Sequence, residues 1–428
     1  MYNDLATATN KERNFFVVIN VNKELFISIF LFDIFIYFGS MFSRRLNINV
    51  EPNELTLLYN AKKKYGERIY DLTSTNPTKL GFNYDTKQII KHFIDERSLV
   101  YEPDPRGLIS AREEIAVYYS ETGKYVQPDD IFIVPSTSEA YSYLFKLLLD
   151  ADEEVLIPQP CYPLFEFLAK LDMCRVVYYP LVYDYRGGWT TDFIMLEKKI
   201  TPKTKAILII NPNNPTGSYL KKEEYNKFIT LSDKYNLSLV VDEVFSDYEI
   251  SAGETALKTT AGIESSITFI LNGFSKMLGL PQMKFGWILI QGEEGKKREA
   301  IKRLEVIADT YLSAATPVQY AAKMLFKTRE KIQEEIKQRI SENYNLLKTK
   351  FLLNPDVKVL NCEGGWSGIL NYENLLIPED EYVFKLLDTK NVLIHPGYYY
   401  DFFTEGYAVL SLLTKPEDME EGLDRICG

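Results

Sequence analysis

Six short runs rich in β-branched and aromatic residues recur between residues 130 and 274, and they limit the possible folds of this chain more than any other feature. Each run is apolar at successive positions, which is typical of strands buried on both faces. The runs are DIFIVP (130–135), EVLIP (154–158), RVVYYP (175–180), KAILIINP (205–212), LSLVVDEV (237–244) and ITFILNGF (267–274). Longer stretches with helical patterning separate several of them. This order predicts an α/β fold with a mostly parallel sheet between two layers of helices.

The length of the chain allows more than one domain. Its 428 residues suffice for one large domain and a smaller one. A charged helical run at 319–352 leads from the predicted sheet into the last hundred residues or so. We therefore predict a three-layer α/β/α large domain over 91–321. A smaller α+β domain is predicted from 41–90 together with 322–428.

Residues 1–40 differ in character from the rest of the chain. They contain the apolar run LFISIFLFDIFIYF (25–38), which carries Asp33. The run is shorter than the roughly 20 residues that a bilayer-spanning helix needs, so no membrane span is predicted. Two interpretations stay open: a non-essential extension ahead of Met41, or an apolar anchor for a membrane or a partner.

Charge and cysteine usage exclude two classes of function. The net charge is -11 and the pI is about 5.1, whereas nucleic-acid surfaces need clustered lysine and arginine. The four cysteines are widely scattered and the chain has only two histidines, so no zinc site is expected. We interpret the cysteines as reduced thiols and predict a cytoplasmic protein without a metal.

Unusual residues follow three of the predicted strands. The turn NPNNPTG (211–217) follows one strand, Asp242 follows the next, and Lys276 follows the third. In a parallel sheet the carboxyl ends of the strands share one edge, where ligands collect. Each residue alone has an ordinary structural explanation. Together, a lysine able to form a Schiff base, an acid able to pair with a pyridinium nitrogen and an asparagine suit pyridoxal phosphate chemistry.

With these residues in this order, the chain from about residue 41 to 428 resembles the class I and II aminotransferases, pyridoxal-phosphate enzymes of fold type I. The resemblance implies that Lys276 forms the internal aldimine and moves a proton during the reaction. Asp242 would pair with the pyridine nitrogen, and Asn214 would bond the phenolic oxygen of the cofactor. Tyr162, in QPCYPLFEF, matches the aromatic residue that stacks on the ring. The predicted catalytic residues are therefore Lys276, Asp242 and Tyr162.

The resemblance also implies a phosphate site. Its residues would be Ser136, Thr137, Ser138, Ser275 and Lys284. The family usually has arginine where this chain has Lys284, and lysine keeps the charge but not the bidentate fork. Tyr101 matches a tyrosine that reaches the phosphate site of the neighbouring subunit. A homodimer with shared sites is thus expected.

Two positions depart from the family pattern. Phe245 stands in the cofactor site where the family has a tyrosine, so one hydrogen bond to the phenolic oxygen is missing and the pKa of the aldimine should rise. Val409 stands where the family commonly has the arginine that binds the substrate carboxylate. Other residues must then bind the substrate, or the substrate lacks that carboxylate. The candidates, chosen by position, are Asn76, Lys79, Arg106 and Trp366.

The resemblance implies an aminotransferase that moves an amino group from an amino acid or amine to a 2-oxo acid by a ping-pong mechanism. Two alternatives stay open at this point. One is another pyridoxal-phosphate reaction, such as β- or γ-elimination, C–S cleavage or decarboxylation, because those enzymes share the cofactor residues. The other is a non-catalytic module that binds the cofactor.

Overall fold

The computed structural model describes residues 41–43, 45 and 51–428. Residues 1–40, and with them both interpretations of the apolar run, lie outside the described residues. In the described part of the chain, no helix is long and apolar enough to cross a membrane.

The described residues form α-helices, strands and short 3₁₀ turns in alternation. The α-helices are α1 (Glu54–Lys64), α2 (Thr86–Lys91), α3 (Ile109–Glu121), α4 (Thr137–Leu148), α5 (Leu164–Leu171), α6 (Phe193–Lys199), α7 (Lys222–Tyr235), α8 (Phe274–Met277), α9 (Glu294–Tyr311), α10 (Thr316–Lys327), α11 (Arg329–Phe351), α12 (Glu379–Lys390) and α13 (Pro416–Cys427). The strands are β1 (Tyr70–Asp71), β2 (Ile131–Val134), β3 (Glu154–Gln159), β4 (Arg175–Asp184), β5 (Gly188–Thr191), β6 (Thr204–Ile210), β7 (Ser238–Asp242), β8 (Ile267–Gly273), β9 (Gly286–Gly292), β10 (Val357–Val359), β11 (Ser367–Tyr372), β12 (Val392–Leu393), β13 (His395–Pro396) and β14 (Tyr407–Ser411). The 3₁₀ turns are Pro77–Lys79, Glu96–Leu99, Pro128–Asp130, Pro281–Met283 and Gly397–Tyr400.

The central sheet has eight strands in the order β2-β9-β8-β7-β6-β3-β4-β5. The neighbours from β8 to β4 are parallel, β9 runs antiparallel between β2 and β8, and β5 is antiparallel at the edge. All six apolar runs found in the sequence are strands of this sheet. The predicted α/β class with a mostly parallel sheet is therefore confirmed.

Helices cover both faces of this sheet, which is why its strands are apolar on both sides. Leu208 and Ile207 are neighbours on β6 and pack into different cores. Leu208 belongs to the same core as Leu304 of α9, and Ile207 belongs to the same core as Phe228 of α7. Because side chains alternate along a strand, successive residues point to opposite faces of the sheet and into different helical layers.

A second unit contains the four-stranded antiparallel sheet β10-β11-β14-β13. Its core combines strand residues with residues of α11, α12 and α13, such as Ile336, Leu386 and Leu423. The charged run at 319–352 is two helices rather than one, because α10 ends and α11 begins on either side of Thr328.

The segment 361–366, which leads into β11, is bound to the loops of the eight-stranded sheet. The Glu363 carboxylate accepts a hydrogen bond from the Tyr219 amide (2.8 Å) and forms an ion pair with Lys221. The Gly365 amide donates to the Tyr248 carbonyl at 2.8 Å. Gly217 has a φ of +69°, and a Cβ there would lie 2.5 Å from the Cys362 sulfur, so only glycine fits this contact. The segment therefore has a fixed position relative to the large sheet.

Candidate active site

Lys276 lies just beyond the end of β8, in the single-turn helix α8. Its Nζ is 5.5 Å from the centroid of the Phe245 ring and 5.2 Å from that of the Trp366 ring. Burial lowers the pKa of Lys276 from 10.5 to about 8, and the charge of Asp242 opposes this shift. The lysine is thus a half-buried amine beside two aromatic rings, with a larger neutral fraction near neutral pH than an exposed lysine has.

Asp242 ends β7 and is only 5% exposed. Its Oδ2 accepts a hydrogen bond from the Tyr141 hydroxyl at 2.6 Å, and its Oδ1 accepts one from the Val244 amide at 3.0 Å. Burial raises the pKa of Asp242, whereas these two donors and the charge of Lys276 act to lower it. Within the part of the chain that the structure describes, no cation contacts this carboxylate. A cationic group on a ligand would find its anionic partner here.

The amino end of α4 lies at the same edge of the sheet. Ser136 caps this helix by accepting a hydrogen bond from the Glu139 amide at 3.2 Å. Thr137 and Ser138 are the first two residues of the helix, where backbone N–H groups have no partner within the helix. Such a helix start binds anions, and both side chains add hydroxyl donors.

Two glycines allow β8 and β9 to approach the start of α4. A Cβ at Gly273 would lie 2.8 Å from the Gly286 Cα, and a Cβ at Gly286 would lie 3.5 Å from the Thr137 nitrogen. A side chain at Gly286 would fill the space beside the helix start, and one at Gly273 would push β8 and β9 apart. The absence of a side chain at Gly286 leaves a cradle next to Ser136 and Thr137, which suits a phosphate group.

Ser275 and Lys284 each lie two residues from one of these glycines in the sequence, but they differ in exposure to solvent. Ser275 is half-buried and directly precedes Lys276. Lys284 is exposed, precedes Gly286 by two residues and has a φ of +51°, which is uncommon for a residue with a side chain. It has no ion pair among the described residues. Its ammonium group is available to an anion.

Asn214 lies in the loop after β6, and its amide is tied to the second unit. The Ser367 hydroxyl, on the first residue of β11, donates a hydrogen bond of 3.2 Å to Asn214 Oδ1. Tyr162 follows β3 and is half-buried against the cores on both sides of the sheet. Both predicted residues therefore lie at the carboxyl edge of the parallel strands.

Phe245 and Trp366 form an aromatic wall around Lys276. Their rings meet edge to face with centroids 5.2 Å apart, and Trp366 also meets Tyr248 at 5.1 Å. Trp366 is 2% exposed, and its indole N–H has no acceptor among the described residues. This wall offers no side-chain hydroxyl at Phe245, as the sequence indicated.

The residues paired with Val409 in the four-stranded sheet carry no charge at neutral pH. Val409 of β14 is paired with Ile369 of β11 on one side and with His395 of β13 on the other. Burial lowers the pKa of His395 to about 4, so the imidazole is uncharged at neutral pH. Its Nδ1 lies 3.2 Å from the Tyr400 hydroxyl. This row of the four-stranded sheet therefore supplies no positive charge to a substrate carboxylate.

The structure does not bring Arg106 to these residues. Its guanidinium donates to the Glu305 carboxylate at 2.7 Å and to the Asp129 carbonyl at 2.9 Å, which lies before the amino end of β2. The cofactor residues lie beyond the opposite, carboxyl ends of the strands. Within its own chain Arg106 pairs with Glu305 of α9, and its predicted contribution to the site of a partner subunit stays a prediction.

The three remaining predicted residues are Asn76, Lys79 and Tyr101. Asn76 caps the turn Pro77–Lys79, with Thr78 donating to its Oδ1 from both the amide (3.1 Å) and the hydroxyl (2.7 Å). Lys79 is exposed. Tyr101 is 76% exposed and follows exposed Leu99 and Val100, so the ring is available to another molecule.

Two residues of this site were not found from the sequence. Tyr141 bonds Asp242 across 101 positions, and Ser367 bonds Asn214 across 153 positions. Helical periodicity shows that Tyr141 is buried but gives no sign of its polar partner. Ser367 carries no local signal at all, because it is a small residue at the start of a strand.

These features fit pyridoxal phosphate. The cradle at α4 and Lys284 match its phosphate, and the buried carboxylate of Asp242 matches a protonated ring nitrogen. Asn214 lies in a loop at the same edge of the sheet. Lys276, with its lowered pKa, matches an amine that bonds to an aldehyde. No group of histidine, cysteine and acidic side chains in the described residues could hold a metal ion.

Comparisons with known proteins agree with this description. The family model "Aminotransferase class I and II" matches residues 68–426. The chain is 30% identical over 272 residues to the glutamate-pyruvate aminotransferase AlaA of Haemophilus influenzae, covering 63% of this chain and 67% of that protein. It is 28% identical over 373 residues to an alanine aminotransferase of Mycobacterium bovis, covering 84% of this chain and 85% of the relative.

The fold is also that of a solved structure. Alanine aminotransferase from Pyrococcus furiosus superposes with a TM-score of 0.80 at 24% identity, covering 90% of this chain and 98% of that one. The family match spans most of the chain, including Asn214, Asp242 and Lys276. The chain therefore belongs to the class I and II aminotransferases, and it is a pyridoxal-phosphate-dependent enzyme.

Proposed function

We propose that the protein moves an amino group from an amino donor to a 2-oxo acid in two half-reactions at one site, with Lys276 as the residue that bonds covalently to the cofactor. The observation that carries this proposal is the half-buried Lys276 amine, whose pKa is lowered to about 8, beside the buried carboxylate of Asp242. When bound, pyridoxal phosphate supplies an aldehyde that condenses with amino groups and a ring that accepts the electrons released at the amino-bearing carbon.

Lys276 has two tasks in this proposal. It would hold the cofactor through its neutral amine, and the lowered pKa makes that form more abundant near neutral pH. With a substrate amine in the site, its Nζ would take a proton from the substrate carbon and return it at a different atom. The rings of Phe245 and Trp366 exclude water from this transfer.

Asp242 would hold a proton on the ring nitrogen of the cofactor. Its carboxylate is fixed at both oxygens, by the Tyr141 hydroxyl and by the Val244 amide, so its position is defined before a ligand binds. The positive charge of the protonated nitrogen offsets the cost of burying the carboxylate. Tyr162 would stack on the ring from the side of β3.

The phosphate group would be bound by the start of α4, by Ser275 and by Lys284. Tyr101 of the partner subunit would complete this site in a homodimer. Support for the dimer comes from the exposed apolar residues around Tyr101, namely Ile94, Leu99 and Val100. An apolar segment of this kind on a protein surface is typical of an interface.

The substrate carboxylate is not bound by the row that contains Val409. The named relatives act on glutamate, pyruvate or alanine, which have a carboxylate next to the amino-bearing or keto carbon. In this chain that row is Ile369, Val409 and a neutral His395. Either other groups bind the carboxylate, including groups of the partner subunit, or the donor is an amine without one.

The test is to follow the visible spectrum of the purified enzyme while amino acids and amines are added one at a time. Conversion to the pyridoxamine form with release of a 2-oxo acid or aldehyde is the expected result. Release of ammonia or carbon dioxide instead would show elimination or decarboxylation and would contradict the proposal.

Three of the four cysteines, Cys161, Cys174 and Cys362, are buried and unpaired. Buried reduced thiols fit a protein that works in a reducing compartment, and we therefore propose a cytoplasmic location.

A further inference from the structure

The Asn214 amide makes a hydrogen bond to Ser367 that distinguishes its two ends. Asn214 Oδ1 accepts from the Ser367 hydroxyl at 3.2 Å. An asparagine side chain has one acceptor end and one donor end with two N–H groups. When Ser367 occupies the acceptor end, the donor end remains for a ligand.

Both partners of this hydrogen bond are held in place by their surroundings. Ser367 directly follows the segment 361–366, which Glu363 and Gly365 bind to the loops of the large sheet. The Asn214 loop is closed by a hydrogen bond of 2.8 Å from the Gly217 amide to the Asn213 carbonyl. Neither residue can move far without breaking several backbone contacts.

The neighbouring wall of the site makes the orientation of this amide important. Phe245 has no hydroxyl and packs its ring against Trp366 at 5.2 Å. The aromatic wall therefore supplies no donor at Phe245 to an oxygen of a bound ring. An amide turned the wrong way would present its carbonyl oxygen to that oxygen and repel it.

We propose that Ser367 is a positioning residue, which holds the Asn214 amide with its Nδ2 donor toward the phenolic oxygen of bound pyridoxal phosphate. This inference rests on the proposed function, because it requires the cofactor to be bound at Lys276. The Ser367 hydroxyl is already engaged with Asn214 Oδ1. It acts from the second unit, through the Asn214 amide alone.

The test measures the pH midpoint of the visible absorbance change of the lysine-bound cofactor, which reports how well donors stabilise the phenolic oxygen as an anion. Ser367→Ala frees the amide to turn, and the midpoint should rise by about half a pH unit, which corresponds to part of one hydrogen bond. Asn214→Ala should raise it at least as much. Ser367→Thr keeps the hydroxyl and should restore the midpoint of the natural protein.

The double variant distinguishes positioning from general disturbance. If Ser367 acts only through Asn214, the double variant Ser367→Ala/Asn214→Ala has the same midpoint as Asn214→Ala alone. Ser411→Ala is the matched control, since Ser411 is the buried serine opposite Ser367 on β14 and its hydroxyl contacts the Leu413 amide instead. Its midpoint should equal that of the natural protein.

Three results would overturn the inference. They are an unchanged midpoint in Ser367→Ala, additive shifts in the double variant, and a midpoint that falls in Ser367→Ala. A fall would mean that the hydroxyl accepts from Nδ2 and holds the amide the other way round. If the natural protein shows no lysine-bound absorbance at all, the proposed function fails and this inference fails with it, whereas a normal absorbance without dependence on Ser367 defeats the inference alone.

Discussion

The phenol oxygen of Tyr141 lies 2.6 Å from Oδ2 of Asp242, and both residues are buried. The hydroxyl donates to the carboxylate and so opposes the effect of burial, which raises the pKa of Asp242. The bond joins helix α4, whose start forms the anion cradle, to strand β7. Tyr141 therefore connects the two ends of the proposed cofactor site.

Removing the Tyr141 hydroxyl should slow the enzyme moderately. In Tyr141→Phe the carboxylate loses a charge-assisted hydrogen bond, which contributes about 1.5–3 kcal/mol, so we expect kcat to fall about tenfold or more. Asp242→Ala should fall much further, because the ring nitrogen then loses its anionic partner. Steady-state kinetics of both variants provide the measurement. Near-normal turnover in Asp242→Ala would show that the ring nitrogen is not held in this way.

Lys276 should carry the cofactor. Reduction with borohydride followed by peptide mapping should place the label on Lys276, and Lys276→Ala should lose the lysine-bound absorbance. Lys284→Arg serves as the control, since it retains a charge for the phosphate and should still be labelled at Lys276. A label on another lysine in the natural protein would contradict the assignment.

Cofactor loading should depend on pH in a defined direction. Because the pKa of Lys276 is lowered to about 8, its amine is mostly protonated below that pH and neutral above it. The rate at which cofactor-free protein binds pyridoxal phosphate covalently should therefore rise as the pH increases from 7 to 9. Stopped-flow absorbance measures this rate. A midpoint near 10.5 would mean that the amine is not perturbed by its surroundings.

The neutral row at Val409 should limit the choice of amino donor. Introducing a cation with Val409→Arg should increase kcat/KM for α-amino acids relative to amines of the same size, whereas Val409→Leu should not, because it changes size without charge. Val409 is buried, so the melting temperature of Val409→Arg must be compared as well. If both variants have the same donor preference, the sheet row of Ile369, Val409 and His395 lies outside the substrate site.

Arg106 should contribute to stability rather than to substrate choice. Its ion pair with Glu305 is partly exposed and contributes about 1 kcal/mol at most. Arg106→Ala should lower the melting temperature by roughly 2 °C and leave the relative kcat/KM values of different donors unchanged. A changed donor preference in this variant would show that Arg106 takes part in substrate binding.

Much of the fold follows from the sequence because its cause is local. The six apolar runs become strands since each is buried by helices on both faces, and Ser136 caps α4 because a serine precedes a helical stretch. The NPNNPTG turn, Asp242 and Lys276 were likewise recognised from their order along the chain, and the other residues proposed for the cofactor come from the family resemblance. Their roles, and the division into domains at residues 91 and 322, stay predictions.

Other features could not be predicted, because their causes are distant in the chain. The sequence does not show that Glu305 is the partner of Arg106, which lies 199 positions earlier. Nor does it show that His395 sits beside Val409 as a neutral imidazole, since its pKa depends on burial in a tertiary structure. Side-chain hydrogen bonds between residues far apart in the chain leave no periodic pattern in the sequence, so they cannot be predicted from it.

The connection of segment 361–366 to Tyr219 and Lys221 also sets an order of events during synthesis of the protein. All strands of the eight-stranded sheet lie between residues 131 and 292, so that sheet can be complete on the ribosome before Glu363 is made. Until then Lys276 lacks its Trp366 wall and Asn214 lacks its Ser367 partner. The wall around Lys276 can therefore be completed only after the residues from 293 to 366, which follow the last strand of the large sheet, have been translated.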